Sequence, residues 1–253
     1  MAERTPQDNA PKPISATKYV LVVGNDASHL VYTALLLQKL SYHICAAGTA
    51  EEALEMTGAI LPTLIITDLK LSGMSAPQMI QVLRQKPRTA SIPVIIKLEQ
   101  VTPQIEAKCR EAGALACIRK PVQPEELYRV VQSAIEPTPR EHIRIQTRLS
   151  VVLNNVPLDY ASGECATMLS SRGMFIQTQK TFPVKTKCPV QIMLDNKLIA
   201  AMAKVVYSYK AGEGPLGVPG LGLYFADISK DDEDRLQQYI NDEVTKGIIP
   251  GQA

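Results

Sequence analysis

Residues 64–74 read Leu-Ile-Ile-Thr-Asp-Leu-Lys-Leu-Ser-Gly-Met. Leu64, Ile65, Ile66 and Thr67 make a short apolar, β-branched run without polar alternation, the pattern of a strand covered on both faces. Asp68 stands at its carboxyl end, and Ser72-Gly73 marks the turn that follows. The same unit recurs in both directions. Before it come a strand over 19–23 (Tyr-Val-Leu-Val-Val), a helical pattern at Leu30, Val31, Ala34, Leu35 and Leu37, a strand over 43–47 and a helix over 50–57. After it come a helix over 77–85, a strand over 94–96, a helix near 104–112, a strand over 115–118 and a helix over 125–135. Five strands and five helices in strict alternation predict an α/β unit: a doubly wound, five-stranded parallel sheet with helices on both faces. A ligand or reacting group on such a sheet belongs at the carboxyl ends of its strands.

The alternation stops at Glu136. Pro137-Thr138-Pro139 favours extended backbone and ends the last helix. Beyond it the texture is β, with runs over 149–153, 174–178, 190–194, 203–207 and 221–225 separated by Gly, Pro, Asn and Asp. That spacing predicts an antiparallel barrel or sandwich. One helix follows. Ser229 caps it, Asp231–Asp234 suit its positive end, and Leu236, Tyr239, Ile240 and Val244 form its buried stripe. The expected organisation is a loose tail over 1–17, broken by Pro6, Pro11 and Pro13, a first domain over 18–136 and a second over 137–253 that includes a linker at 137–145.

The 253 residues are 45% apolar and 21% charged, enough to bury a core and too apolar for a disordered chain. Up to Ile135 there are 14 basic and 12 acidic side chains, and after it 13 of each, so neither half carries the basic excess of a nucleic-acid binder. The five cysteines are odd in number and form no C-x-x-C pair, which argues against disulfides or a thiolate zinc site and for a reducing cytoplasm. His29, His43 and His142 do not cluster, so no metal centre is expected. The start lacks the apolar core of a secretory signal, and no apolar run reaches the ~18 residues of a membrane span. Val23-Gly24-Asn25-Asp26-Ala27-Ser28-His29 lacks G-x-G-x-x-G, and no Ser/His/Asp arrangement is legible, so no enzyme is expected.

Asp68 after the third strand, Lys120-Pro121 after the fifth and Gly24-Asn25-Asp26 after the first resemble the receiver domain of bacterial response regulators. The resemblance implies a flavodoxin-like fold in which Asp68 matches the phosphoacceptor and Lys120 the lysine. Gly24 and Asn25 fall where that family has a metal-binding acidic pair, Leu98 where it has a hydroxyl, and Cys117 where an aromatic switch residue is usual. Mg²⁺ wants carboxylate oxygens, and phosphoryl transfer depends on positioning and charge neutralisation, so this vestigial site should hold magnesium weakly at best and transfer poorly. Asp68 and Lys120 can instead be an ion pair that holds strand ends, and Asp26 can swing in as a substitute ligand.

Arg140 and Arg144, four apart in a Pro-bounded segment, can grip a phosphate or a guanine edge in forked geometry, or be a solvated face. Met168-Leu169-Ser170-Ser171-Arg172-Gly173 and the later Gly220-Leu221-Gly222-Leu223-Tyr224-Phe225 complete a resemblance to the PilZ domain, a bacterial receptor for cyclic di-GMP. It implies a six-stranded barrel with a C-terminal helix, an R-x-x-x-R linker and a [D/N]-x-S-x-x-G turn. Arg140 and Arg144 would then clamp the ligand, Ser170 would bond a phosphate or guanine edge, and Gly173 would permit the tight turn. Met168 stands where Asp or Asn is expected, and a thioether is only a weak acceptor. Arg172 could supply a compensating charge or be a solvated side chain, and Arg148 falls on a strand surface. The resemblances together imply a cyclic di-GMP effector that acts by interdomain rearrangement and contact with an unknown downstream protein, with no prosthetic group and with room for a homodimer. The alternative is a phosphorylation-controlled regulator whose PilZ domain is an adaptor without nucleotide.

Overall fold

The computed structural model describes residues 19–214 and 217–248, so the expected tail at 1–17 lies outside the described residues. The described chain divides into two compact units, 19–141 with 244–248 and 142–214 with 217–243.

In the first unit, β1 (Tyr19–Val23), α1 (Ala27–Lys39), β2 (His43–Ala47), α2 (Ala50–Ala59), β3 (Leu64–Asp68), α3 (Ala76–Gln85), β4 (Val94–Leu98), α4 (Pro103–Glu111), β5 (Ala116–Arg119) and α5 (Pro124–Ile135) follow one another. The sheet has the order β2-β1-β3-β4-β5, and every pairing is parallel. All five residues of β1, β3 and β4 are buried, as expected of strands covered on both faces. Helix starts follow their capping residues. The Thr49 hydroxyl accepts from Glu52 N at 3.1 Å, and Ser75 forms a capping box with Gln78 ahead of α3. The fifth strand begins one residue later than its apolar run suggests, because Leu115 is exposed.

The second unit contains β6 (Ile145–Leu149), β7 (Val151–Leu153), β8 (Val156–Pro157), β9 (Cys165–Ser170), β10 (Gly173–Gln177), β11 (Lys187–Leu194), β12 (Lys197–Tyr209) and β13 (Gly220–Ile228), then α6 (Lys230–Thr245) up to Glu243. Eight strand segments replace the six expected, in the order β6-β9-β10-β13-β12-β11-β7-β8. Two features account for the difference. β8 is a two-residue arm, and β6 and β7 are one stretch interrupted at Ser150. Its first part pairs with β9 and its second with β11, so a single stretch serves both ends of the curled sheet in a PilZ-like barrel. Two hairpins turn at Asn154-Asn155 (φ 51° and 63°) and Asp195-Asn196 (φ 45° and 64°), where Asn and Asp tolerate the left-handed backbone that a two-residue loop demands. Val151, Ile176, Val190, Ile199, Val205, Leu221 and Phe225 fill the barrel, and Leu236 of α6 packs against them. Ser229 caps that helix by accepting from Asp232 N at 3.1 Å.

Candidate functional site

At the carboxyl ends of the parallel strands, β3 delivers Asp68 and the residue after β5 delivers Lys120. The Lys120 N–H donates to Leu98 O at 2.7 Å, which fixes its position beside β4. The expected ion pair is present, with Lys120 Nζ 3.1 Å from Asp68 Oδ1. A second lysine, absent from the sequence reading, joins it. Lys97 lies opposite Asp68 in the β3–β4 register, and its Nζ is 3.2 Å from the same Oδ1. Lys97 is 1% exposed and Asp68 3%. Among the described residues Asp68 Oδ1 has no further hydrogen-bond partner, so its neutralisation rests on the two ammonium groups. Thr33 Oγ1, which donates to His29 O at 2.8 Å, accepts from Lys97 Nζ at 3.4 Å. Burial lowers the Lys97 pKa below its ordinary 10.5, against the pull of Asp68. A site with one lysine was expected, and the structure contains two.

The remaining residues of this cluster do not assemble a cation site. Gly24 is buried, and a Cβ there would stand 2.8 Å from Asp68 Oδ2, so the Asp68 carboxylate rests where a side chain at 24 would begin. Asn25 is exposed. Asp26, expected as a substitute ligand, is instead the cap of α1: it is exposed, accepts from His29 N at 3.1 Å and pairs with His29 Nδ1 at 3.3 Å. The His29 N–H bond is the largest cause of its lowered pKa. Leu98 is buried and offers no hydroxyl. Among the described residues no three His, Cys, Asp or Glu side chains converge. The magnesium ion that a receiver site implies does not fit here: a dication beside Asp68 would meet two ammonium groups already within 3.2 Å of that carboxylate.

The second cluster begins at the junction of the units. Arg140 is exposed, and its N–H donates to Gln132 Oε1 on α5 at 3.1 Å. The Gln132 amide also donates to the Tyr42 hydroxyl at 2.7 Å, and burial pushes that phenol up to about 12. Arg144 is exposed just before β6. Between them, His142 Nδ1 is 3.2 Å from Ser171 Oγ.

The signature stretch 168–173 is less of a turn than its sequence suggests. Met168 and Ser170 lie on β9, Gly173 opens β10, and only Ser171-Arg172 connects the strands. Met168 is half-buried in the sheet, opposite Phe175 on one side and Gln146 on the other. The Ser170 hydroxyl donates to Gly173 O at 3.0 Å. Gly173 does not serve the turn through a left-handed backbone, since it is absent from the positive-φ residues. Its role is close approach: a Cβ there would overlap the Leu223 carbonyl oxygen on β13. Arg172 is half-exposed but committed, with Nη2 2.9 Å from Glu233 Oε1 of α6. Arg148 lies on the outer face of β6, 5.8 Å from the Tyr160 ring centroid.

Among the described residues no helix is long and apolar enough to cross a membrane. Residues 20–132 match the model of the response regulator receiver domain, and residues 138–242 match that of the PilZ domain. Over 119 residues the chain is 25% identical to the two-component response regulator ORR7 of Oryza sativa subsp. japonica, covering 47% of this chain and 57% of that protein. Over 108 residues it is 32% identical to the hybrid signal transduction histidine kinase D of Dictyostelium discoideum, covering 43% of this chain and 7% of that one. A response regulator from Desulfuromonas acetoxidans, known as a crystal structure, is 29% identical, with coverage of 47% of this chain and 97% of that chain and a TM-score of 0.42. The chain thus spans little more than half the length of the rice relative and a small part of the kinase. From the two family models and the two architectures, the chain carries a response regulator receiver domain over 20–132 followed by a PilZ domain over 138–242.

Proposed function

We propose that this chain is a cytoplasmic bacterial effector that binds cyclic di-GMP through its PilZ domain, without catalysing a reaction, and passes the event to a downstream protein by interdomain rearrangement. Its receiver domain is not phosphorylated. Arg140 and Arg144 clamp the ligand, Ser170 contributes a hydroxyl, and Gly173 keeps β10 close to β13. The observation that carries the reading is the state of the two linker arginines. Both are exposed and hold no carboxylate among the described residues, whereas nearby Arg172 is tied to Glu233. Two free forked donors four residues apart suit a ligand with phosphates and guanine edges. The two lysines on Asp68 support the unphosphorylated receiver.

Calorimetric titration of cyclic di-GMP into the wild type, Arg140→Ala, Arg144→Ala and the double variant tests it. Each single change deletes a charge-assisted contact of about 1.5–3 kcal/mol and should weaken binding at least about ten-fold. The double variant should lose less than the sum, because either loss already releases the shared linker. Lysine should not rescue either position, since a point charge cannot make the forked contact. Full affinity in Arg144→Ala would move the ligand away from the linker.

A second reading keeps the PilZ domain as a protein adaptor without nucleotide, under phosphorylation control. Met168, an apolar side chain set into the sheet at a position of polar recognition, favours its first half. The paired lysines at Asp68 oppose its second.

A further inference from the structure

β4 reads Val-Ile-Ile-Lys-Leu and is buried throughout, and Lys97 is the largest of the wholly buried side chains in the described chain. A lysine in that position is costly unless a counter-charge meets it. The counter-charge is Asp68, 3.2 Å away, which Lys120 already neutralises at 3.1 Å. Lys97 is therefore one positive charge more than Asp68 needs. Glu99, 3.4 Å from Lys120, balances part of the excess from a largely exposed position. On the opposite side, the Asp68 carboxylate rests against Gly24, where any side chain would displace it. Gly24 makes room for the carboxylate, and Lys97 sets a second positive charge beside it.

We infer that Lys97 is a built-in cation: its ammonium takes the place of a divalent metal at Asp68 and holds the receiver domain in one state, whatever the supply of metal or phosphoryl donor. The inference deepens the unphosphorylated-receiver part of the proposed function, rests on that part, and is independent of nucleotide binding. Because Lys120 still meets Asp68 when Lys97 is gone, the costly state is Lys97 without the Asp68 carboxylate. Asp68→Asn leaves a buried ammonium with a weakened partner, and replacing that lysine with an apolar side chain of similar length removes the fault.

The test is scanning calorimetry of the full chain as wild type, Asp68→Asn, Lys97→Met and the double variant. Each is scanned without metal, with magnesium chloride, and with magnesium chloride plus beryllofluoride, and intact mass is measured after incubation with acetyl phosphate and magnesium. Wild-type melting should not respond to magnesium or beryllofluoride. Asp68→Asn should melt below the wild type, and adding Lys97→Met should raise the midpoint again. A magnesium-induced rise of more than about 3 °C in the wild type would overturn the inference, because it requires a cation bound to the native state. A double variant no more stable than Asp68→Asn would overturn it too. If Asp68→Asn does not fold, the wild-type magnesium titration still decides. Phosphoryl incorporation by the wild type, lost in Asp68→Asn, would refute the unphosphorylated reading and the inference with it. Absent incorporation with a magnesium-raised midpoint would refute the inference alone.

Discussion

Gly173→Ala should unfold the barrel more easily than a one-carbon change normally does. The added Cβ would overlap the Leu223 carbonyl oxygen and stand 3.3 Å from its carbon and 3.4 Å from Tyr224 Cα, all backbone atoms of β13. No side-chain rotation can relieve that contact, so β10 must retreat from β13 by on the order of 1 Å. Two observed features oppose the retreat. Gly173 pairs with Tyr224 in the ladder, and the Phe225 N–H donates to Arg172 O at 2.9 Å. Losing about two hydrogen bonds at ~1 kcal/mol each, with overpacking strain of ~1–3 kcal/mol, gives roughly 3–5 kcal/mol. In a unit of this size 1 kcal/mol moves the midpoint by about 4–8 °C, so the shift should exceed about 10 °C. Urea unfolding followed by far-ultraviolet circular dichroism reads the stability, with Gly163→Ala as control. Gly163 has φ 90° and nothing within 4 Å of a Cβ, so alanine there meets backbone strain of ~1–2 kcal/mol and no clash. If Gly173→Ala lies within about 0.5 kcal/mol of the wild type, close strand approach is not what glycine provides, and this account of the signature is wrong.

Met168→Asn should tighten cyclic di-GMP binding by restoring an acceptor and donor, and more cleanly than Met168→Asp, whose carboxylate brings a negative charge toward an anion; no gain in either, by calorimetry, would show that Met168 does not face the ligand. Glu233→Gln releases Arg172 from its ion pair, and because that pair is partly exposed it should change barrel stability by no more than about 1 kcal/mol while strengthening ligand binding, with the gain fading at high salt. Glu164 accepts from the Thr178 hydroxyl, Gln179 N at 3.1 Å and Asp159 N at 3.4 Å, and the Thr178 bond leads the causes that hold its pKa below the ordinary 4.5. A carboxyl group with a depressed folded pKa stabilises fully above its unfolded value and loses that contribution as pH falls through the folded one. Glu164→Gln should therefore flatten the acid limb of the stability profile below pH 4.5 and leave wild-type and variant curves parallel near neutrality.

The first unit was legible because its strands are covered on both faces and its helices carry caps. Apolar runs at 19–23 and 43–47 bound β1 and β2 to the residue, while α1 starts at Ala27, ahead of its apolar stripe, because the Asp26 cap and not the first leucine sets its beginning. The barrel was less legible. β9 has no clear sequence signal, because Cys165–Ser170 reads as a mixed segment whose buried residues do not alternate, and its pairing with β10 shifts register between Phe175 and Ile176. A bulge breaks the period of two on which strand recognition depends. Without that strand, 168–173 reads as a loop. Arg140, Arg144, Ser170 and Gly173 could be named from their spacing, but the part Gly173 plays depends on Leu223, fifty residues on, and no local pattern encodes that contact.

Lys97 escaped for a different reason. In sequence it ends an apolar run and resembles a strand that has reached solvent, where a long side chain can carry its charge to water. Its burial depends on three facts from separate parts of the chain: Asp68 sits opposite it in the sheet, Thr33 on α1 offers an oxygen, and Gly24 leaves space for the carboxylate to lie toward β1. The substitutions at 24 and 97 constrain one another. An acidic side chain at 24 would push the Asp68 carboxylate off its resting place, and a neutral side chain at 97 would leave that carboxylate with Lys120 as its one strong counter-charge. Gly24, Asp68, Lys97 and Lys120 thus form a charge balance of their own. A decayed site has no reason to bury a second ammonium group, and this one does so against the cost of desolvation.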